Sequence, residues 1–333
     1  MEFGLTDEQR QLGDSERSWL TRHDPLERVR ETLDHGRITV DPAAVTHAAE
    51  SGLLALLTPD VGGTHVDLAV LTEAHGYAAS SLPLADLAIS AWLLGECNAA
   101  QAGAAADGAR LFGVTRAPGG PSGLSTPVPM ASDMAGFVVV GEDNDGEFTT
   151  VVEQPLLVPM STFDLTRSWA RLNLERASVD RMSLPTGTLA RVRDALAVHR
   201  GLDAIGAAAR LLEMTVAYAG QRQQFGVAIG SFQAVKHHCA DMVLAVEAAR
   251  SVLWAAALAL DVAGTSAQRS RAASAAAAYA KSAASQVAGT ALQVHGGIGF
   301  TWEHDLHLLL RRVKVDEAMD GTVAEHRSAL VTT

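Results

Sequence analysis

The feature that most limits the fold is the second half of the chain. From Thr188 onward the apolar residues recur with a helical period almost without a break, over stretches at 189–222, 232–262 and 266–294. The last would span about 43 Å at 1.5 Å per residue. Small residues line parts of these stretches (Ala207-Ala208-Ala209, and again at 275–278), so the helices can pack closely. Thr265 and Gln268 form a capping-box start for the third stretch. With a short helix at 305–315 and a last one from Thr322, this half predicts a C-terminal four-helix bundle.

The first 110 residues also read as helical. Thr6 and Gln9 make a capping box for a helix running to about Leu20, and Asp41-Pro42 opens another to about Ser51. Further helices are expected at 67–79 and 84–94, after an apolar run from Gly52 closed by the loop Pro59-Asp60-Val61-Gly62-Gly63. From Leu111 the apolar period shortens. Residues 113–121 read as a loop, and 136–140 with 148–152 read as a β-hairpin across the acidic turn Asp143-Asn144-Asp145-Gly146. Strands are expected at 156–159 and 170–174, then a linker at Pro185-Thr186-Gly187. The expected organisation is mainly α: a helical domain at 1–110, a small, reduced β domain at 111–186 and a helical bundle at 187–333.

Composition excludes several function classes. A net charge of −12 argues against a nucleic-acid partner. Two cysteines far apart, Cys97 and Cys239, point to a reducing compartment with no disulfide framework. The first residues show neither a basic start nor an apolar signal core. No uninterrupted apolar run approaches the roughly 18 to 20 residues of a membrane span. The richest stretch, 242–262, carries Glu247, Arg250 and Asp261, so a cytoplasmic protein is expected.

Three segments carry chemistry. Arg222-Gln223-Gln224-Phe225-Gly226, followed by Ser231-Phe232-Gln233, joins two long helices. Its plain structural content is an arginine at a helix C-terminus and a glycine cap. Gln293-Val294-His295-Gly296-Gly297 ends the Ala-rich helix on paired glycines, which expose backbone amides to close approach. Asp320-Gly321-Thr322 reads as a turn, with Thr322 and Glu325 capping the last helix. His295 is expected to be packed or solvated. His237 and His238 are consecutive on one helix and cannot face one site, so no metal site is expected.

In combination these segments resemble the flavin-dependent acyl-CoA dehydrogenases. The resemblance spans the chain, strongest from Thr188 to the end and weakest between 111 and 186, where the segment is several strands short. Val114-Thr115 would match the strand that touches flavin, but no strand matches the family's tryptophan-containing one, and Trp169 stands in a different context, Asp164-Leu165-Thr166-Arg167-Ser168. The resemblance implies FAD as cofactor. Arg222 and Phe225 would reach across a dimer to another subunit's FAD, with Gln233 close by, Gln293, Gly296 and Gly297 at the same dinucleotide, and Thr322 at the flavin site. Asp320 would stand where most of the family has a glutamate that removes the α-proton while hydride passes to flavin; it is one methylene shorter. Some relatives carry that glutamate on the first helix of the C-terminal domain, and the matching position here is Leu196, with Asp194 nearby.

Three readings stay open at this level. The chain is an FAD-dependent acyl-CoA dehydrogenase with Asp320 as base, forming a 2,3-enoyl thioester. Alternatively it is a non-catalytic subunit that completes a partner's FAD site. Relatives in steroid-degrading bacteria form such α2β2 assemblies on bulky CoA thioesters; a homotetramer is the other arrangement, and an electron-transfer flavoprotein is the family's usual acceptor. The third is a helical binding protein without flavin.

Overall fold

A computed structural model describes residues 4–23, 26–34, 36–117, 123–175, 181–262 and 264–331. The N-terminal helices are α1 (Asp7–His23), α2 (Leu26–Asp34), α3 (Pro42–Glu50), α4 (His65–Ala78), α5 (Leu84–Glu96) and α6 (Ala102–Ala106). Thr6 and Gln9 close their capping box with two bonds of 3.1 Å, and Asp41 caps α3 through the Ala43 amide. A second box, Thr64 with Asp67, starts α4 two residues before its expected beginning. The Asp261 carboxylate, at the end of the bundle's second helix, also accepts from the His65 and Val66 amides, tying the two domains at a helix start. Glu16 on α1 meets His47 and His75 at 2.8 and 3.0 Å, which docks α1 on α3 and α4.

The middle domain is two small sheets. β1 (Phe112–Arg116) runs parallel to β3 (Gly136–Asp143), which pairs antiparallel with β4 (Gly146–Val152) and then β7 (Met182–Ser183). The second sheet has the order β2 (Val128–Pro129), β6 (Trp169–Asn173), β5 (Leu156–Met160). Val128, Phe137, Val139, Val152, Ala170 and Leu172 form the core between them. The expected loop at 113–121 is thus corrected: 112–116 is a buried strand, its register set by the valine run Val138-Val139-Val140 beside it. Residues 118–121 of that loop lie outside the described residues.

The bundle follows the sequence closely. α7 (Thr188–Gln221), a hairpin of β8 (Gln223–Gln224) and β9 (Val227–Ala228), α8 (Gln233–Asp261) and α9 (Ser266–His295) are its long parts. α10 (Leu306–Ala318) packs on α7 and α9, and α11 (Val323–Val331) on α9. By length and composition α8 is, among the described residues, the helix that could cross a membrane. Only 39% of its apolar window is buried, and its buried face packs against α7 and α9.

α4 crosses α7 through two glycines that notch each other's backbone. A Cβ at Gly76 would stand 2.1 Å from the Asp203 carbonyl oxygen, and one at Gly206 2.1 Å from that of Glu73. This crossing sets the depth at which Asp203 enters the interdomain core. Gly206→Ala is therefore expected to destabilise the chain by about 3 kcal/mol through overpacking. Gly289→Ala, on an exposed part of α9 with open space around it, should instead stabilise by about 1 kcal/mol. Urea unfolding of both variants checks the contrast.

Candidate functional site

The residues singled out by the sequence fall into two groups, one on an exposed rim and one in a buried turn. At the rim, the β8–β9 hairpin turns on Phe225 and Gly226, whose φ values of +53° and +81° match a tight type I′ turn. Positive φ is an outlier for phenylalanine, and its ring is 92% exposed, touching Phe232 edge-on at 6.2 Å. Arg222 closes α7 through its amide, while its side chain is exposed and has no hydrogen bond or ion pair among the described residues. One turn earlier, Tyr218 stacks on His295 at 4.5 Å, which brings the ends of α7 and α9 side by side. There Gly296 takes φ +60°, ψ −138°, a conformation that glycine alone adopts easily. Gly296 and Gly297 have open space where a side chain would be, and Gln293 and Gln233 are exposed. His295 is packed, as expected, donating through Nδ1 to the Ala291 carbonyl.

Asp320 and Thr322 stand apart from the rim. Thr322 and Glu325 form the expected capping box for α11. Asp320 has φ +52°, and its side chain, 10% exposed, lies 3.0 Å from Arg200 Nε. Arg200 also donates from Nη2 to both oxygens of Asp86 at 3.2 and 3.3 Å, and lies 4.0 Å from Asp316. Its guanidinium sits 5.0 Å above the Trp169 ring, which packs against Val315 and Met319. One turn along α7, Asp203 receives a bidentate pair from Arg312 at 2.6 and 2.9 Å and a third bond from Arg167 at 2.8 Å. Both arginines also bond the Ser80 carbonyl, and Arg312 donates to Thr166, which in turn donates to Asp164. The cavity among His75, Asp86, Arg200 and Asp203 measures about 10 Å³, room for one water.

Charge in this cluster is sorted by burial and pairing. Burial alone would raise the Asp320 carboxyl, but Arg200, with Arg116 and Lys281, outweighs it and holds it below the ordinary value. Burial likewise opposes ionisation of Asp203, and Arg167 and Arg312 overcome it, so it too is held low. Burial and the neighbouring Asp203 push the Asp316 carboxyl well up, and its Oδ2 has no partner among the described residues. Arg200 gains from its three carboxylates more than burial costs it.

Leu196 is buried in the core, and Asp194 turns to α9, meeting Ser270 at 2.6 Å and Arg269 at 3.2 Å. Sequence reading did not single out Arg200, Asp203, Lys281 or Arg312. The available signal was a charge inside a small-residue or apolar helical run, as in Ala280-Lys281-Ser282 or Leu310-Arg311-Arg312-Val313. Buried charges of that kind are paired or costly.

Comparison with known proteins fits this geometry. The description "Acyl-CoA dehydrogenase, C-terminal domain" matches residues 189–332. Acyl-CoA dehydrogenase IpdE2 of Mycolicibacterium smegmatis is 30% identical over 314 residues, covering 92% of this chain and 93% of that one. The chain belongs to the acyl-CoA dehydrogenase family. IpdE2 of Mycobacterium tuberculosis is 41% identical over 154 residues, 46% of this chain and 44% of that protein. Among solved structures, the ChsE4-ChsE5 complex from Mycobacterium tuberculosis aligns with a TM-score of 0.88 at 22% identity, covering 100% of this chain and 98% of that one. A variant of the Tcur3481-Tcur3483 steroid ACAD aligns at 0.86 with 23% identity, covering 98% and 97%. The family is an FAD-dependent oxidoreductase family acting on acyl-CoA thioesters. The rim fits that cofactor: an unpaired guanidinium suits a pyrophosphate, and bare glycine backbone admits a dinucleotide closely.

Asp203→Ala leaves Arg167 and Arg312 buried without their shared carboxylate, and a loss of about 3–5 kcal/mol is expected at pH 7. The sign with pH follows from the depressed native value. The Asp203 contribution is complete above its unfolded value near pH 4 and is lost as pH falls below it. Thermal unfolding at pH 7 and pH 3 should therefore show the deficit of the variant shrinking in acid.

Proposed function

We propose that the chain is a subunit of an FAD-dependent acyl-CoA dehydrogenase taking a bulky, polycyclic CoA thioester. On this reading it lends Arg222, Phe225, Gln233, Gln293, Gly296 and Gly297 to an FAD shared with a second acyl-CoA dehydrogenase subunit. The observation that carries the reading is the rim itself: a side chain as apolar as Phe225, at positive φ and 92% exposed, beside an unpaired arginine. Such a set is unfinished within one chain and is completed from outside. The bound FAD supplies the hydride acceptor; the residues of this chain position its dinucleotide part. Solved structures of like fold named as a ChsE4-ChsE5 complex and as a Tcur3481-Tcur3483 steroid ACAD support a hetero-oligomer and a polycyclic acyl group, and α2β2 is the stoichiometry this reading assigns. A cytoplasmic location and an electron-transfer flavoprotein as acceptor belong to the same reading.

Within it, Asp320 has two possible roles. As the base it would take the α-proton of the thioester, and Thr322 would stand beside the flavin. As a structural residue it would leave catalysis to the partner. The pairing with Arg200 favours the second: a carboxylate held below its ordinary value by a buried guanidinium 3.0 Å away is a weak base near neutral pH.

Flavin content and mass, measured on the chain alone and co-purified with its partner, test the proposal. Flavin is expected only in the complex, at about half an FAD per chain summed over both subunits, with Arg222→Ala reducing it. A full complement of FAD on the chain alone would overturn the shared-site reading. Asp320→Asn separates the two roles: turnover lost with flavin retained identifies the base, whereas lowered thermal stability with turnover per folded complex retained identifies the counter-ion.

A further inference from the structure

We propose that Lys281 is a positioning residue, whose ammonium grips the 319–321 turn and directs the side chain at 320 onto Arg200. Lys281 is fully buried on α9 among Ala277, Ala280 and Ala284, a place where an apolar side chain would be ordinary. Its Nζ instead donates to the carbonyls of Met319 and Gly321, each at 2.5 Å. Between those carbonyls, Asp320 and Gly321 take consecutive positive φ values, +52° and +94°. Aspartate tolerates that region at a cost, so the surrounding structure must hold it there. The remaining contacts converge on the same turn. His326 Nε2 on α11 donates to the Asp320 carbonyl at 3.1 Å, and Arg200 on α7 takes the carboxylate. Gly321 has no room for a side chain, since a Cβ would stand 2.7 Å from His326 Nε2.

A turn held at three consecutive carbonyls and one carboxylate cannot swing residue 320 toward a ligand without breaking the set. Lys281 is the one donor in it that reaches both flanks of Asp320. The groups facing it are Asp320 and Asp316, Arg200, and Glu325 and His326 of the last helix. Burial lowers its pKa to about 8, against the attraction of Asp320, so its charge titrates just above neutrality. The inference concerns the geometry of this chain and stands whether or not the rim binds flavin.

The test uses Lys281→Met, which fills the space and removes the donors, in the full chain. Amide hydrogen exchange at residues 320–323 is expected to quicken at least tenfold while the amides of α7 and α9 keep their protection. In the wild type the same turn amides should lose protection above pH 8, beyond the intrinsic rise of exchange with pH, and the variant should lack that extra loss. Carbon NMR of Asp320 in the variant should show its titration moving up toward the ordinary aspartate value, as Arg200 contact loosens. Unchanged exchange at the turn would overturn the proposal. So would a uniform loss of protection across the core, which is the mark of a merely structural lysine.

Discussion

Asp203 is the carboxylate on which the arrangement of the three domains depends, because two buried arginines from different domains share it. Arg167 comes from the β domain, Arg312 from the bundle, and both also bond carbonyls at 80–82 of the helical domain. None of these charges can be solvated where they lie, so each is tolerable only while the others stay in place. The glycine notch between α4 and α7 fixes how deep Asp203 reaches, and so decides whether the arginines can meet it at bonding distance. The specificity of the fold is concentrated in that contact more than in the alanine-lined helix faces, which would accept many registers.

The same network reaches the turn that matters for chemistry. Arg200 lies one turn from Asp203 and divides its guanidinium between Asp86 and Asp320, with Asp316, its carboxyl pushed well up by burial, 4.0 Å away. The charge that would be needed free for proton abstraction is committed to holding the helical domain, α7 and the 319–322 turn together. The rim shows the opposite economy of contacts: among the described residues the Arg222 side chain has no hydrogen bond or ion pair, Phe225 is 92% exposed with only the edge of Phe232 against it, and the paired glycines face open space. A closed turn and an open rim in one chain are what the proposed subunit, contributing to a neighbour's site, would need.

Much of this was legible in the sequence. Capping boxes at Thr6, Thr265 and Thr322 appear where local hydrogen-bonding chemistry puts them, and the three long bundle helices begin and end within a residue of the periodicity. Local signals of that kind depend on a few neighbouring residues. At 112–116 the local pattern read as a loop, because Gly113 and a following Pro-Gly run mimic one, and only the family resemblance pointed to a strand at Val114-Thr115; the pairing that makes it a strand comes from the valines of β3. The ion cluster was missed for a similar reason. Asp164, Arg167, Arg200, Asp203 and Arg312 are spread over almost 150 residues, and a charge inside an apolar helical run, the one local signal, does not say which partners it will meet. For Asp320 the sequence could offer both a turn and a base, because the deciding neighbour, Arg200, is 120 residues away.

The most direct measurement is the carboxyl titration of Asp320 in the folded wild-type chain, followed by carbon NMR. The account predicts that it stays ionised down to pH values below the ordinary aspartate range, because Arg200 holds the charged form. A titration above pH 5, as suits a desolvated catalytic base, would contradict it and return Asp320 to the reaction.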